Sequence, residues 1–445
     1  MKKNEEIEIT ITDITKEGNG VGRYEGMAVF VPFSAVGDQL RVRIVKVNSS
    51  FCYGKIIEII KPSATRCSAD CASFFRCGGC AFRHITYEEE CRLKEKFVVD
   101  CFRRIGGIEM RPEKFLRGEP QSYRNKAQYP FCQTENGITA GFFAKRSHRV
   151  IPDTGCAIQP PEFSKIVQTV CAVANRLGIS VYDETTQSGL LRHLFIRKAE
   201  ATGEYMVVLV INGNTLPGAD VFYDALVALL GAQLVSFQLN FNTEDTNVVL
   251  GKRCKVLYGQ NYITDILCGK KIRISPLSFY QVNRTMAEKL YEQAAIYAEP
   301  QGKYILDLYC GTGTIGLSMA DAAKRVLGVE IVEQAVHDAK VNARVNGVEN
   351  ISFLSGDAAK FAAQGEHADV VIIDPPRKGC STELLEIIEQ QLMPERVIYI
   401  SCDPATLARD CKHFTENGYC LSAATVADLF PRTGHVESVV QLLRN

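Results

Sequence analysis

The chain has 445 residues, 46% of them hydrophobic, and its 51 Lys and Arg balance its 51 Asp and Glu. That length exceeds one ordinary core and points to two or three domains, while the even charge balance argues against indiscriminate polyanion binding and leaves room for a local basic face. Seventeen cysteines in so long a chain exclude a small disulfide scaffold, so clustered thiols point to metal or catalysis in a reducing compartment.

Residues 4–62 read as short β-strands. Ile7, Ile9 and Ile11 alternate with polar residues, Gly18, Gly20, Gly22 and Gly26 punctuate turns, and 27–32 and 39–47 supply further strands. Five short strands in so few residues predict a small closed barrel of the oligonucleotide-binding shape, with a purely structural β-module the competing reading. The charged start Met1–Glu6 leads into this alternation rather than into a signal-peptide core, and no apolar run is long enough to span a bilayer. A cytoplasmic protein is expected.

Residues 63–150 carry 16 Lys and Arg against 10 Asp and Glu, which concentrates positive charge where a polyanion could dock. Cys71, Cys77 and Cys80 fall within ten residues around Gly78-Gly79, and Cys156 is a fourth candidate. Four thiolates suit tetrahedral zinc or a [4Fe–4S] cluster. Zinc ribbons bring two Cys-x2-Cys hooks and only one is present, which favours iron and sulfur. The pattern 87–104 is helical, as is Glu162–Leu177. The span 120–270 mixes helix and strand, an α+β region.

From about 272 the pattern becomes repeated strand and helix, with strands expected at 304–309, 325–330, 351–355, 369–374, 396–401 and 419–426 and a last one from Val436. This predicts a mostly parallel, doubly wound α/β sheet. The expected division is 1–62, a barrel; 63–270, a central region with the cysteine cluster; and 271–445, a Rossmann-like catalytic domain. Asp307-x-Tyr309-Cys310-Gly311-x-Gly313 makes a Gly-rich turn between strand and helix, where a ligand can approach the backbone closely. Glu330 ends the next strand, where an acid can hold the ribose of an adenosine. Asp357 falls where an acid could reach the adenine amino group, or serve as a helix N-cap. Asp374-Pro375-Pro376-Arg377-Lys378 follows another strand, and Ser401-Cys402-Asp403-Pro404 the one after. A thiol at a strand end in an adenosine-binding sheet points to covalent catalysis, with the helix after Pro404 expected to lower its pKa.

Together these motifs resemble the bacterial RNA uracil-5 methyltransferases, especially the 23S ribosomal RNA branch with an iron–sulfur cluster. The resemblance spans nearly the whole chain, from a barrel similar to a TRAM domain through Cys-x5-Cys-Gly-Gly-Cys to Asp-Pro-Pro-Arg-Lys-Gly and Ser-Cys-Asp-Pro. It implies that Cys71, Cys77, Cys80 and Cys156 hold a [4Fe–4S] cluster, and that Gln281, Tyr309, Glu330 and Asp374 contact S-adenosylmethionine. Cys402 is the implied nucleophile and Glu437, in Gly-His-Val-Glu, the implied general base. Phe237-Gln238-Leu239-Asn240 is the implied RNA-side stretch. Thr314 replaces the Asn of some relatives, and Cys67 has no family role. The expected enzyme is a monomer that methylates C5 of a flipped-out uridine in 23S rRNA. Transfer RNA is the alternative substrate. A non-catalytic RNA-binding or assembly factor is opposed by the presence of both Cys402 and Glu437, and a redox or sulfur-transfer enzyme by the cysteine spacing.

Overall fold

The computed structural model describes residues 1–365 and 367–445. Its first five strands, Glu6–Ile14, Asn19–Tyr24, Met27–Pro32, Gln39–Val47 and Phe51–Lys61, close into a barrel. The alternation read from sequence is what closes it: Ile7, Ile9, Ile11, Val29, Val31, Leu40, Val42 and Ile44 all point inward and are buried.

Beyond the barrel lies the cysteine loop, then the helix Tyr87–Cys101. Thr86 caps this helix by accepting from the Glu89 amide, the Ser/Thr-x-x-Glu arrangement that satisfies an orphan N–H at a helix start. The helical path continues through a π-helical turn, Phe102–Gly106, and stops at Gly107, whose φ of 67° favours glycine.

The central region is a seven-stranded sheet. In spatial order its strands are Arg253–Gly259, Leu234–Phe241, Tyr205–Ile211, Leu191–Lys198, Lys126–Thr134, Gly137–Phe143 and Val150–Pro152. Helices Pro161–Arg176 and Ala219–Leu230 pack on one face, over Leu194, Ile196, Val207 and Leu209. The other face gives Phe195, Met206 and Val208 to a core shared with the C-terminal sheet.

That C-terminal sheet has eight strands. Ile351–Ser355, Arg325–Glu330, Tyr304–Leu308, Val370–Ile373 and Arg396–Ser401 run parallel, and Glu437–Arg444 and Tyr419–Ala427 follow antiparallel. The parallel strands are near-continuous apolar runs because both their faces are buried. The eighth strand, Lys114–Leu116, comes from well before residue 271 and pairs with Thr425–Ala427. The strand order reverses between Tyr304–Leu308 and Val370–Ile373, and such a switch point opens a ligand crevice at the strands' carboxyl ends. No helix among the described residues is long and apolar enough to cross a membrane.

Candidate active site

A cavity of ≈ 1540 Å³ opens at that switch point and runs between the C-terminal sheet, the central sheet and the cysteine loop. Gln281, Tyr309, Glu330, Asp374, Cys402 and Glu437 all line it.

The strand Tyr304–Leu308 ends in the Gly-rich turn. Tyr309 takes a φ of 64°, Gly311 54° and Gly313 77°. A Cβ on Gly313 would sit 2.6 Å from the Phe353 ring, so position 313 requires glycine on conformation and on space. The turn is held by Glu330, whose carboxylate accepts from the Gly311 amide at 3.2 Å and the Val332 amide at 2.9 Å. Asp307, fully buried, accepts from the Gly316 amide at 3.0 Å, and its other oxygen has no partner among the described residues. Burial pushes its pKa up to about 8, so the acid rests protonated at neutral pH. Asp357 caps the helix Ala358–Ala362 through the Ala359 and Lys360 amides and lines the cavity as well, so both of its expected roles remain compatible with its position. Asn125 donates to the Gln281 carbonyl at 3.0 Å, which ties the central sheet to the Gln281 loop.

Cys402 and Glu437 come together through strand register. Ser401 pairs with Ser438 at the end of the antiparallel register; Cys402 follows the one and Glu437 precedes the other, and the Glu437 charge acts on the Cys402 thiol. Glu437 is buried, 5% exposed, and its pKa lies well above the carboxylate range because of burial and the neighbouring Asp374 charge, with Arg377 opposing. Burial alone lifts Asp374 to about 7. The Cys402 thiol is pushed up to about 11, first by burial, then by Glu437 and Asp374, again with Arg377 opposing. The expected lowering does not prevail, because the net shift of this thiol is upward. Asp403 caps the helix Pro404–Glu416, accepting from the Ala405 and Thr406 amides. Two of that helix's first amides are thus already satisfied by a carboxylate.

Cys71, Cys77, Cys80 and Cys156 line the same cavity. The Gly78 amide pins their loop to the Phe143 carbonyl, and the Gly79 amide donates to the Cys77 sulfur at 3.4 Å. Burial raises the Cys77 and Cys80 thiols and lifts Cys156 to about 12, and the charges of the neighbouring cysteines add to each shift. The four thiols therefore share one electrostatic neighbourhood, as a multi-thiolate site requires. No group of three His, Cys, Asp or Glu among the described residues converges tightly enough to hold a single metal ion. Cys67 stands apart, exposed, with its sulfur 3.6 Å from the Arg83 carbonyl.

Two sequence expectations change. Phe237, Gln238, Leu239 and Asn240 are buried in the central sheet, where Gln238 bonds Ser236 and Asn240 bonds Gly251. Their side chains are committed to the sheet's own packing and hydrogen bonds rather than exposed. Conversely, Arg124, Lys126, Tyr291 and His435 line the cavity without having been singled out. The basic excess of residues 63–150 was the available signal for the first two.

Residues 87–445 match the family model described as tRNA (Uracil-5-)-methyltransferase, and residues 2–57 match the TRAM domain. An RNA methyltransferase of Halalkalibacterium halodurans is 42% identical, the alignment covering 99% of this chain and 98% of that one. A Clostridium tetani RNA methyltransferase is 40% identical over 99% and 96%. Among solved structures, the Pyrococcus abyssi tRNA (uracil-54, C5)-methyltransferase in complex with S-adenosyl-L-homocysteine superposes with a TM-score of 0.80. It is 25% identical and covers 98% of this chain and 100% of its own. The chain belongs to the RNA (uracil-5-)-methyltransferase family: it is an S-adenosylmethionine-dependent methyltransferase with an N-terminal TRAM barrel.

Proposed function

We propose that this enzyme methylates C5 of a uridine in 23S ribosomal RNA through a covalent bond from Cys402 to C6 of the base. The observation that carries the reading is that Cys402 and Glu437, close enough for the acid's charge to act on the thiol, line one cavity with the Gly-rich turn. Uracil C5 is a weak nucleophile. Addition of the Cys402 thiolate to C6 moves the C5–C6 electron pair onto C5 and O4, which makes C5 enolate-like. Bound S-adenosylmethionine supplies an electrophilic methyl group on a sulfonium, and C5 is the atom that accepts it. Glu437 then takes the C5 proton, the C5–C6 double bond re-forms, and the Cys402 thiolate leaves. Arg377, the cation that opposes the pKa rise of both groups, helps to hold these two ionised forms. Gln281, Tyr309, Glu330 and Asp374 are the side chains that orient the donor. The target base reaches Cys402 only when flipped out of its stack.

Cys71, Cys77, Cys80 and Cys156 would hold a [4Fe–4S] cluster in a structural role. The Cys-x5-Cys-Gly-Gly-Cys spacing with a single Cys-x2-Cys hook, and the charges the half-buried thiols exert on one another, support a multi-iron cluster over zinc. Anaerobic preparation followed by iron and acid-labile sulfide assay should find both in equal amount; zinc without sulfide would overturn the assignment.

Transfer RNA is the second reading, and a specific observation favours it. The Pyrococcus abyssi enzyme, named for a tRNA uracil, spans 98% of this chain, so an architecture of this extent is not peculiar to rRNA enzymes. The deciding experiment maps 5-methyluridine in rRNA and tRNA from cells with and without the gene, alongside wild type and Cys402→Ala in vitro. Loss confined to 23S rRNA supports the proposal. Loss confined to tRNA refutes the substrate, and an active Cys402→Ala refutes the covalent route.

A further inference from the structure

Residues 428–436 connect the antiparallel strands Tyr419–Ala427 and Glu437–Arg444, and Ala427 pairs with Glu437 where the loop closes. A connecting loop ordinarily leaves its backbone to water. This one gives its backbone to the rest of the protein. The Leu429 carbonyl accepts from the side chain of Asn283, close after Gln281 in sequence, at 3.0 Å. The Phe430 carbonyl accepts from Lys94 at 3.1 Å, and the Pro431 carbonyl from the Tyr123 hydroxyl at 3.0 Å. The Arg432 carbonyl accepts twice, from the Ala81 amide at 2.8 Å and the Phe82 amide at 3.1 Å, the residues that directly follow Cys80. Four successive carbonyls thus reach four separate parts of the chain, among them the helix Tyr87–Cys101 and the cysteine loop.

Arg432 is where this loop turns. Its φ is 70°, in the left-handed region that a residue with a Cβ occupies only where its surroundings over-determine it. Here they do. The Arg432 amide donates to Glu90 at 2.6 Å, and the guanidinium donates to the Ile85 carbonyl at 3.0 Å and lies 3.5 Å from the other Glu90 oxygen. Past this turn the loop meets the barrel: a Cβ on Gly434 would stand 1.8 Å from the Lys16 carbonyl oxygen. The loop is therefore gripped from both sides before the chain reaches Glu437.

We propose that Arg432 is a positioning residue for Glu437: by clamping this loop to Glu90 and to the amides of the cysteine loop, it sets where the carboxylate stands relative to Cys402. This rests on the covalent reading above, in which Glu437 acts on the methylated adduct. There the C5–H bond breaks and its proton goes to Glu437, the electron pair forms the C5–C6 double bond, and the C6–S bond breaks to release Cys402. Addition of the thiolate and transfer of the methyl group come earlier and need no proton taken by Glu437. A loosened loop therefore slows release of product rather than formation of the adduct. Misplacing a positioned group by about 1 Å can cost on the order of a hundredfold in the step it serves.

Arg432→Gln is the test, with Arg432→Lys as the charge-preserving control. Tyr123→Phe, which removes only the hydroxyl on Pro431, carries the same measurements should Arg432→Gln fail to fold. An unmodified transcript that the wild type methylates, tritiated at uridine C5, is mixed with S-adenosylmethionine in a single turnover. Arg432→Gln should form the methylated covalent adduct within about twofold of the wild-type rate, yet release tritium and free RNA roughly tenfold or more slowly. Arg432→Lys should recover most of that loss. Amide hydrogen exchange of the RNA-free proteins reads the loop itself. Exchange in residues 433–438 should rise roughly tenfold or more in Arg432→Gln while the strand Arg396–Ser401 keeps its protection. Adduct formation and tritium release slowed in equal measure overturn the proposal, as does unchanged exchange at 433–438. Exchange that rises equally in Arg396–Ser401 also overturns it, because Arg432 then supports the whole fold and not this loop. A wild type that methylates RNA with no covalent adduct sinks the covalent reading instead, and the exchange experiment still decides whether Arg432 holds the loop.

Discussion

The Cys402 thiol should be slow toward alkylation in the free enzyme, and slow in a way that pH reveals. Burial, Glu437 and Asp374 lift it to about 11 from an ordinary value of 9.0. Only the thiolate reacts, and its fraction falls tenfold for each unit by which the pKa exceeds the pH. At pH 8 the thiolate is therefore about one part in a thousand, against roughly one in ten for an ordinary cysteine, a ~100-fold difference. Iodoacetamide labelling followed by peptide mass spectrometry reads this, with Cys420, exposed on the strand Tyr419–Ala427, as the internal reference. Steric cover would slow Cys402 equally at every pH. A raised pKa instead makes the rate climb tenfold per unit through pH 10, where an ordinary thiol has levelled off. Glu437→Gln removes one of the raising groups and should speed labelling at pH values where Glu437 is ionised. A plateau for Cys402 near pH 9, or no acceleration in Glu437→Gln, would refute the reasoning.

Lys94→Met should destabilise the fold by about 3–5 kcal/mol in chemical denaturation, because fully buried Lys94 joins Glu90 and Asp428, each at 2.7 Å, and its loss leaves Asp428 with no cation among the described residues and Glu90 with Arg432 alone at 3.5 Å. Asp307 has a folded pKa of about 8 against an ordinary 3.8; the folded state holds the extra proton, so its contribution is complete below pH ~4 and is lost as pH rises through 8. The melting temperature should therefore fall between pH 5 and 8, and Asp307→Asn, which keeps the acceptor for Gly316, should flatten that fall. Glu330→Ala should raise the donor's dissociation constant roughly 10- to 100-fold by calorimetry, the worth of a charged hydrogen bond; a change within twofold would remove Glu330 from the donor site.

The barrel and the parallel sheet were legible because their apolar periodicities differ, alternating in one and continuous in the other. The Gly-rich turn was legible because Gly313 has no substitute there. Long-range registry was not. Nothing local in Lys114–Leu116 says that it joins a sheet whose other strands begin at 304. Likewise, Phe237–Asn240 reads as polar and apolar alternation on a strand, and only the layer packed on each face reveals that the polar members are internally bonded. The acid environment of Cys402 was hidden for the same reason. Asp403 is adjacent and visible, but Glu437 reaches the thiol through an antiparallel pairing 35 residues away in sequence, and Asp374 through the parallel one.

The free site is poised on the protonated side, and the donor's own charge can move it. Asp307, Asp374, Glu437 and Cys402 are all held above their ordinary pKa values, with the Arg377 cation opposing the rise of Glu437 and Cys402. A sulfonium entering this cavity adds a positive charge, and an opposite charge within about 4–6 Å lowers an acid's pKa by about one to three. Donor binding should therefore ionise the thiol when it is needed. On the proposed mechanism the sulfur is neutral after methyl transfer, the acids should rise again, and Glu437 would become the stronger base for the C5 proton. Cys402 labelling at pH 8 should accelerate tenfold or more with S-adenosylmethionine and not with S-adenosylhomocysteine, which fills the same space without the charge. Equal protection, or equal acceleration, by both would show that occupancy rather than charge governs the thiol.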